Sequence, residues 1–508
     1  MAKSRTRKVI RNIVASNIDN IVSLICGLIS SRLILRSFGS EYNGITQSIA
    51  QFISYISLMQ SGIGGATIFA LYKPLAENDM KEVSEIVKCT QDYMKKITMI
   101  FVAFILIFSF VYPTFIVRDF DWWFTASLVF IISIASFAQY YFGFTYQCLL
   151  NADQKGYILT YLATIERILN LIVAVVLIRL NSSIHIVELG ASLVNVIPPL
   201  YVYFYVKKKY NLIYDIEVKE DKIPLKWNAA IHEVASFINN NTDVIVLSLF
   251  ADIKEVSVYT VYHYVTFNIK KIVTNFTIGF GNAFGDMYAK NEIALMRENL
   301  GIYETIIYSM TTVFCSVSMV MLVPFAVLYA KGVNDISYSW PLFAVLMVIS
   351  CAFNCYRVPY RSIVYSVGRF KETKNGAIFE SIFHIIISVL GVKYFGLIGI
   401  TFGSIFAMAF RTFQYAIYLS ENIIDRSIWA FLARLFISFS IMGIVSLVSG
   451  FYMPAHIRTW PKWILYATIT TLITGALVLL ADLLFYRQDV EKLFKKLFGS
   501  LKIRKEET

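Results

Sequence analysis

The chain has 508 residues, 57% hydrophobic and only 16% charged, with a formal charge of +12. Soluble domains carry about 25% charged residues, so there is too little polar surface here to solvate a soluble enzyme of this length. The basic excess lies in short stretches between apolar runs, with no zinc-ligand spacing and no basic helix clear of the membrane, which excludes nucleic acid as a partner.

Taken in chain order, apolar runs each long enough to span about 30 Å of hydrocarbon fall at 13–36, 43–71, 94–117, 122–150, 156–179, 184–206, 227–250, 256–288, 303–330, 338–366, 375–396, 399–420, 428–451 and 463–486. The first run lacks a small-residue cleavage site and is followed directly by others, so it reads as a span and not as a signal peptide. Breaks carry turn and charge signals, such as Arg36-Ser37-Phe38-Gly39 and Gly368-Arg369-Phe370-Lys371. The fold class is therefore all-α and polytopic, with about 14 transmembrane helices.

Lys and Arg placement sets the orientation. With the N-terminus inside, the inner segments hold 30 Lys and Arg and the outer loops hold 8. Both termini are then cytoplasmic. The basic tail, 487–508, reads as an amphipathic helix on the anionic inner leaflet.

The chain repeats itself. Gly62-Ile63-Gly64-Gly65-Ala66 returns as Gly279-Phe280-Gly281-Asn282-Ala283, 217 residues later. Tyr146-Gln147 returns as Tyr360-Arg361 and Glu166 as Glu380, both 214 later. The shift equals six spans, so two copies point the same way. This predicts an N-lobe at 1–206, a cytoplasmic linker at 207–226, a C-lobe at 227–420, two additional helices within 421–486, and the tail. A water-filled cleft between the two pseudo-symmetric lobes is expected.

Polar stripes at helical spacing mark the first two spans of each lobe. Asn20 lies on the first, Gln47 and Gln51 on the second, His232, Asn239 and Asp243 on the seventh, and His263 and Lys270 on the eighth. These residues are expected to line the cavity. Basic residues within spans are costly, about 2.5–3.5 kcal/mol each at a helix centre. Of these, Arg32, Lys270, Arg357 and Arg411 are the candidates for a cationic substrate site, while Arg361 and Arg434 can snorkel and Arg167 can pair with Glu166. Guanidinium forks and a Lys point charge suit phosphate. Glycines at 62, 64 and 65 and at 279 and 281 are candidate hinge and packing positions. The six cysteines form no disulfide or metal pattern. There is no catalytic constellation and no phosphate-binding Gly-Lys-Ser/Thr loop, so the chain is not read as an enzyme and ATP is not its direct energy source.

Three stretches carry a resemblance: Arg32 through Ile45, with Gly39-Ser40-Glu41-Tyr42-Asn43-Gly44; then Gly62 through Ala66; then Leu71-Tyr72-Lys73-Pro74-Leu75-Ala76-Glu77. In the second lobe the stretch from Asp243 to Tyr259 matches the related pattern. Across essentially the whole chain the sequence resembles Wzx-type polysaccharide flippases of the multidrug/oligosaccharidyl-lipid/polysaccharide (MOP) exporter superfamily. The resemblance implies two six-helix lobes plus two helices in a bacterial cytoplasmic membrane. It implies flipping of an undecaprenyl diphosphate-linked oligosaccharide from inner to outer leaflet by alternating access, for cell-surface polysaccharide synthesis. It also implies a coupling ion, Na+ or H+, no other cofactor, and partnership with the polymerase and glycosyltransferases of the same pathway. The alternatives are a multidrug/cation antiporter on the same fold, a lipid II flippase, and a membrane enzyme such as a polymerase or ligase. The outer loops are too short for the last.

Overall fold

A computed structural model describes residues 2–60, 63–116, 120–213, 227–454 and 457–495. Every described regular element is helical. The helices are α1 (Ala2–Phe38), α2 (Ser40–Ser54), α3 (Ile63–Glu77), α4 (Met80–Val111), α5 (Trp122–Ala138), α6 (Phe144–Ala152), α7 (Gly156–Arg179), α8 (Ile184–Lys209), α9 (Trp227–Phe250), α10 (Ile253–Asn275), α11 (Thr277–Ala289), α12 (Ile293–Tyr329), α13 (Pro341–Tyr356), α14 (Val358–Ser366), α15 (Phe370–Phe395), α16 (Gly399–Leu419), α17 (Trp429–Tyr452) and α18 (Trp460–Phe485). Short sequence signals set the boundaries. Gly39, at φ +90°, separates α1 from α2. Asp79 caps α4 by accepting from the Lys81 and Glu82 amides, and Asp121 caps α5 by accepting from Phe124. Pro341 opens α13, where a missing N–H costs nothing.

All fourteen expected spans fall on helices among the described residues. Ten stretches are long and apolar enough to cross a membrane, and an eleventh forms if α2 and α3, bent by 42°, make one broken span. One of the ten, Phe370–Ile424, contains two helices of 26 and 21 residues, because Gly396 at φ +55° ends α15. Helices α9, α10 and α11 are not among the ten, and α9 and α10 carry Asn239, Asp243, His263 and Lys270. The chain is a multi-pass membrane protein.

The helices divide into two compact units. The first comprises Met1–Phe237 with Asp252–Ser257 and Gly332–Ile336. Its apolar core joins Ile45, Ile49 and Ile53 of α2 to Phe101, Ile105 and Phe108 of α4. Two short polar clasps hold its distant pieces: Ser40 donates to Asp335 through its amide and its hydroxyl, both at 2.8 Å, and Asn43 donates to Ser257 at 2.7 Å. The second unit comprises Ile238–Ala251, Val258–Lys331 and Ser337–Thr508. There α12, α17 and α18 share a core that includes Met321, Leu328, Val445 and Val478. In both units a glycine of the repeated motif packs on the equivalent neighbour. A methyl on Gly64 would lie 3.3 Å from Phe144 of α6, and one on Gly281 would lie 3.4 Å from Ser362 of α14.

Candidate functional site

One polar buried place in the second unit is built from four helices. Asn239 and Asp243 are one turn apart on α9, so they share a face. Tyr259, His263, Thr266 and Lys270 form a stripe on α10, and Ser404 and Thr401 come from α16. Helix α15 supplies His384, which is fully buried. The α15–α16 approach that brings His384 to Ser404 rests on Gly399 and Gly403, a Gly-x-x-x-Gly pair. A methyl on Gly403 would meet the Ser388 side chain and the His384 carbonyl, and one on Gly399 would meet the backbone of Gly391. Small residues allow this backbone contact where lipid offers no hydrophobic driving force.

Asp243 is the centre of the arrangement. Tyr259 donates its hydroxyl to Oδ2 at 2.8 Å and Ser404 donates to the same oxygen at 3.0 Å. His384 Nε2 lies 3.0 Å from Oδ1. The His263 ring stacks on Tyr259 at 5.3 Å between centroids. Beside these groups is a cavity of about 20 Å³, room for a single water or small cation. Asn239 Oδ1 is buried with no hydrogen-bond donor among the described residues, and such an orphaned acceptor is costly unless something donates to it or binds it. A carboxylate, an amide oxygen and hydroxyl oxygens are hard ligands suited to a proton or an alkali cation. Among the described residues no group of three or more His, Cys, Asp or Glu is placed to hold a metal ion. Lys270 borders the same cavity and forms no ion pair among the described residues.

The sequence matches no protein-family model and no curated protein. Solved structures do match. The chain is similar to the lipid II flippase MurJ in an inward closed conformation, at 17% identity, with a TM-score of 0.67 over 94% of this chain and 100% of that one. It is similar to an inward-facing multidrug resistance MATE transporter of the MOP superfamily at 14% identity, with a TM-score of 0.55 over 80% of this chain and 98% of that one. A MOP superfamily transporter from Pyrococcus furiosus, described as having a binding pocket of reversed polarity, matches at 11% identity and a TM-score of 0.56, over 83% and 97% of the two chains. The chain has the MOP fold.

Within this MOP fold the candidate cations take different positions. Arg357 and Arg411 do not line the cavity beside Asp243. Arg357 Nη1 donates to Glu380 Oε1 at 2.9 Å, and Arg411 Nε lies 3.1 Å from Glu380 Oε2. Arg411 also donates to the Thr373 carbonyl at 3.0 Å, to the Tyr415 hydroxyl at 2.6 Å, and to Gln414, which uses up its fork. Both guanidiniums serve the interior of the second unit. Arg434 does not snorkel either. It is 3% exposed, lies 3.1 Å from Glu304, and reaches Asp489 at 2.5 Å. The tail therefore begins by docking on the protein through Asp489. Arg167 pairs with Asp19 of α1 and not with its neighbour Glu166.

Arg32 is half-buried on α1, and Asn20 and Gln51 are partly buried on α1 and α2. Gln51 donates to Ser54 at 3.0 Å, and Gln47 is exposed. Gly65 has open space where a side chain would be, unlike Gly64 and Gly281. Gly62 falls outside the described residues, as do the side chain of His232 and the surroundings of Gly279. Two participants were not visible from sequence. His384 lies on a span with no polar stripe, and Glu304, which also accepts from Arg426 at 2.8 Å and Tyr360 at 2.7 Å, sits in a long apolar helix. A signal for the first existed in Gly399 and Gly403, which fix where α15 and α16 touch.

Proposed function

We propose that this protein is a flippase that carries an undecaprenyl diphosphate-linked oligosaccharide from the inner to the outer leaflet of a bacterial cytoplasmic membrane, with both termini cytoplasmic. The observation that carries the reading is Lys270, a cation at membrane depth that borders a polar cavity and is not neutralised by an ion pair among the described residues. Holding a charge there costs several kcal/mol, and an anionic headgroup offsets that cost each time it binds. Arg32 is the second candidate contact. The ion pairs at Glu380 and Glu304 account for three of the other intramembrane arginines, which leaves the anion site smaller than the arginine count suggests. Likeness over nearly the full length to a lipid II flippase supports the same class of cargo. Asp243, Asn239 and Ser404, with His384 beside them, are the proposed seat of the coupling ion, and the pathway's polymerase and glycosyltransferases are the proposed partners.

A second reading, a MATE-like antiporter of organic cations, is favoured by the carboxylates of Asp243 and Glu166. Complementation separates the two. Expressed in a strain lacking its polysaccharide flippase, wild type restores surface polymer, while Lys270→Ala and Arg32→Ala restore at least tenfold less. Full restoration by both variants removes the anion site. No restoration by wild type, in that strain or in one depleted of lipid II flippase, together with efflux of tetraphenylphosphonium, replaces the flippase reading with the antiporter.

A further inference from the structure

We infer that the first unit carries a separate pocket that recognises an N-acetylated sugar, and that it holds the cargo's glycan while the diphosphate sits elsewhere; this rests on the flippase reading. The pocket has a volume of about 480 Å³, within the range of small-molecule sites. Ser54, Gln139, Gln147, Glu166, Asn195 and Pro199 line it. No Lys or Arg does.

Two local irregularities shape it. Gln139–Gly143 forms a π-helical turn, a feature often found at functional sites. Across that turn Gln139 and Gln147 exchange amide hydrogen bonds, at 2.8 and 3.1 Å. Each amide keeps one further N–H and one further acceptor position. A methyl on Gly143 would lie 2.6 Å from Gln139 Oε1 and 2.9 Å from Pro199, so only glycine lets α8 come this close. On α8, Pro198 and Pro199 have no N–H, so the carbonyls of Val194 and Asn195 lose their usual donors four residues on.

The internal repeat sharpens the argument. Glu380, the counterpart of Glu166, is clamped between Arg357 and Arg411. Glu166 has no ion pair among the described residues, because its neighbour Arg167 turns to Asp19. Gln147 stands where the second half has Arg361. One copy of this place is filled with internal ion pairs, and the other is an open chamber of amides, hydroxyls and one carboxylate. Such a set repels phosphate. It matches a sugar, whose hydroxyls donate to the carboxylate and free carbonyls and whose acetamido group extends the Gln139–Gln147 amide pair.

The test uses full-length protein in lipid nanodiscs and three probes: farnesyl diphosphate, farnesyl diphosphate-linked N-acetylglucosamine, and tetraphenylphosphonium. Wild type is expected to bind the sugar-bearing probe about tenfold tighter than the bare diphosphate. Glu166→Gln and Gln147→Leu each erase most of that advantage and leave the bare diphosphate's affinity unchanged. If the bare diphosphate binds but the sugar adds nothing, or if both variants keep the advantage, the sugar pocket is overturned and the diphosphate site stands. If farnesyl diphosphate does not bind, the flippase reading itself fails. Tetraphenylphosphonium binding that is lost in Glu166→Gln overturns the proposal in favour of a cation pocket.

Discussion

Glu380→Gln is expected to destabilise the second unit severely, while Glu166→Gln, at the repeat-related position of the first, is expected to do little. Glu380 is 4% exposed and is the acid that Arg357 and Arg411 share, at 2.9 and 3.1 Å; those two are 6% and 2% exposed. The amide keeps the shape but removes the charge, leaving two buried guanidiniums facing each other without a counter-ion. Breaking a buried pair in this way costs about 3–5 kcal/mol. For a unit of this size each kcal/mol moves the melting temperature by about 2–4 °C, so a drop of about 6–20 °C is expected. Thermal unfolding of both variants in the same detergent, followed by intrinsic fluorescence, reads this directly. Glu166 has no ion pair among the described residues, so its variant should lose less than about 2 °C. Equal melting temperatures for the two variants would refute the structural role assigned to Arg357 and Arg411 and return them to the list of cargo contacts.

Three further outcomes follow from the same geometry. Gly403→Val pushes a branched side chain into the Ser388 side chain and the His384 carbonyl, and should abolish accumulation of folded protein where Gly443→Val, in open space, does not; size-exclusion profiles decide. Asp243→Asn should remove the dependence of transport on an imposed ion gradient while leaving farnesyl diphosphate binding within about twofold of wild type; retained gradient dependence rules out Asp243 as the coupling carboxylate. Asp489→Asn removes one of the two acids at Arg434 and should expose the C-terminal segment to protease at least several-fold faster with little loss of the membrane core; unchanged cleavage means the tail is held by something other than this ion pair.

The parts of this molecule that depend on local pattern were legible in the sequence. Apolar length placed the spans, Gly39 and Gly396 marked breaks because a positive φ favours glycine, and the stripes on α9 and α10 pointed Asn239, Asp243, His263 and Lys270 to one cavity. The near-constant offset of 214–217 residues raised the expectation of two similar halves. What was not legible depends on long-range pairing. Arg411 looks the same in sequence whether it faces water or Glu380, and the partners of Arg434 lie 130 residues before it in Glu304 and 55 after it in Asp489. Asp243 and His384 meet only because α15 and α16 touch at glycines, which periodicity within one helix cannot report. The chamber around Glu166 was missed for a related reason: its polar residues come a few at a time from several elements, so no single span shows a stripe.

The most direct test of the central claim is transbilayer movement of a fluorescent undecaprenyl diphosphate-linked oligosaccharide in proteoliposomes containing the purified protein. Dithionite quenching, repeated over time, counts the molecules that cross. Wild type is predicted to move the probe from one leaflet to the other at a rate that Lys270→Ala lowers at least tenfold. Wild-type vesicles no faster than protein-free ones, while the same vesicles transport a lipophilic cation, would contradict the account.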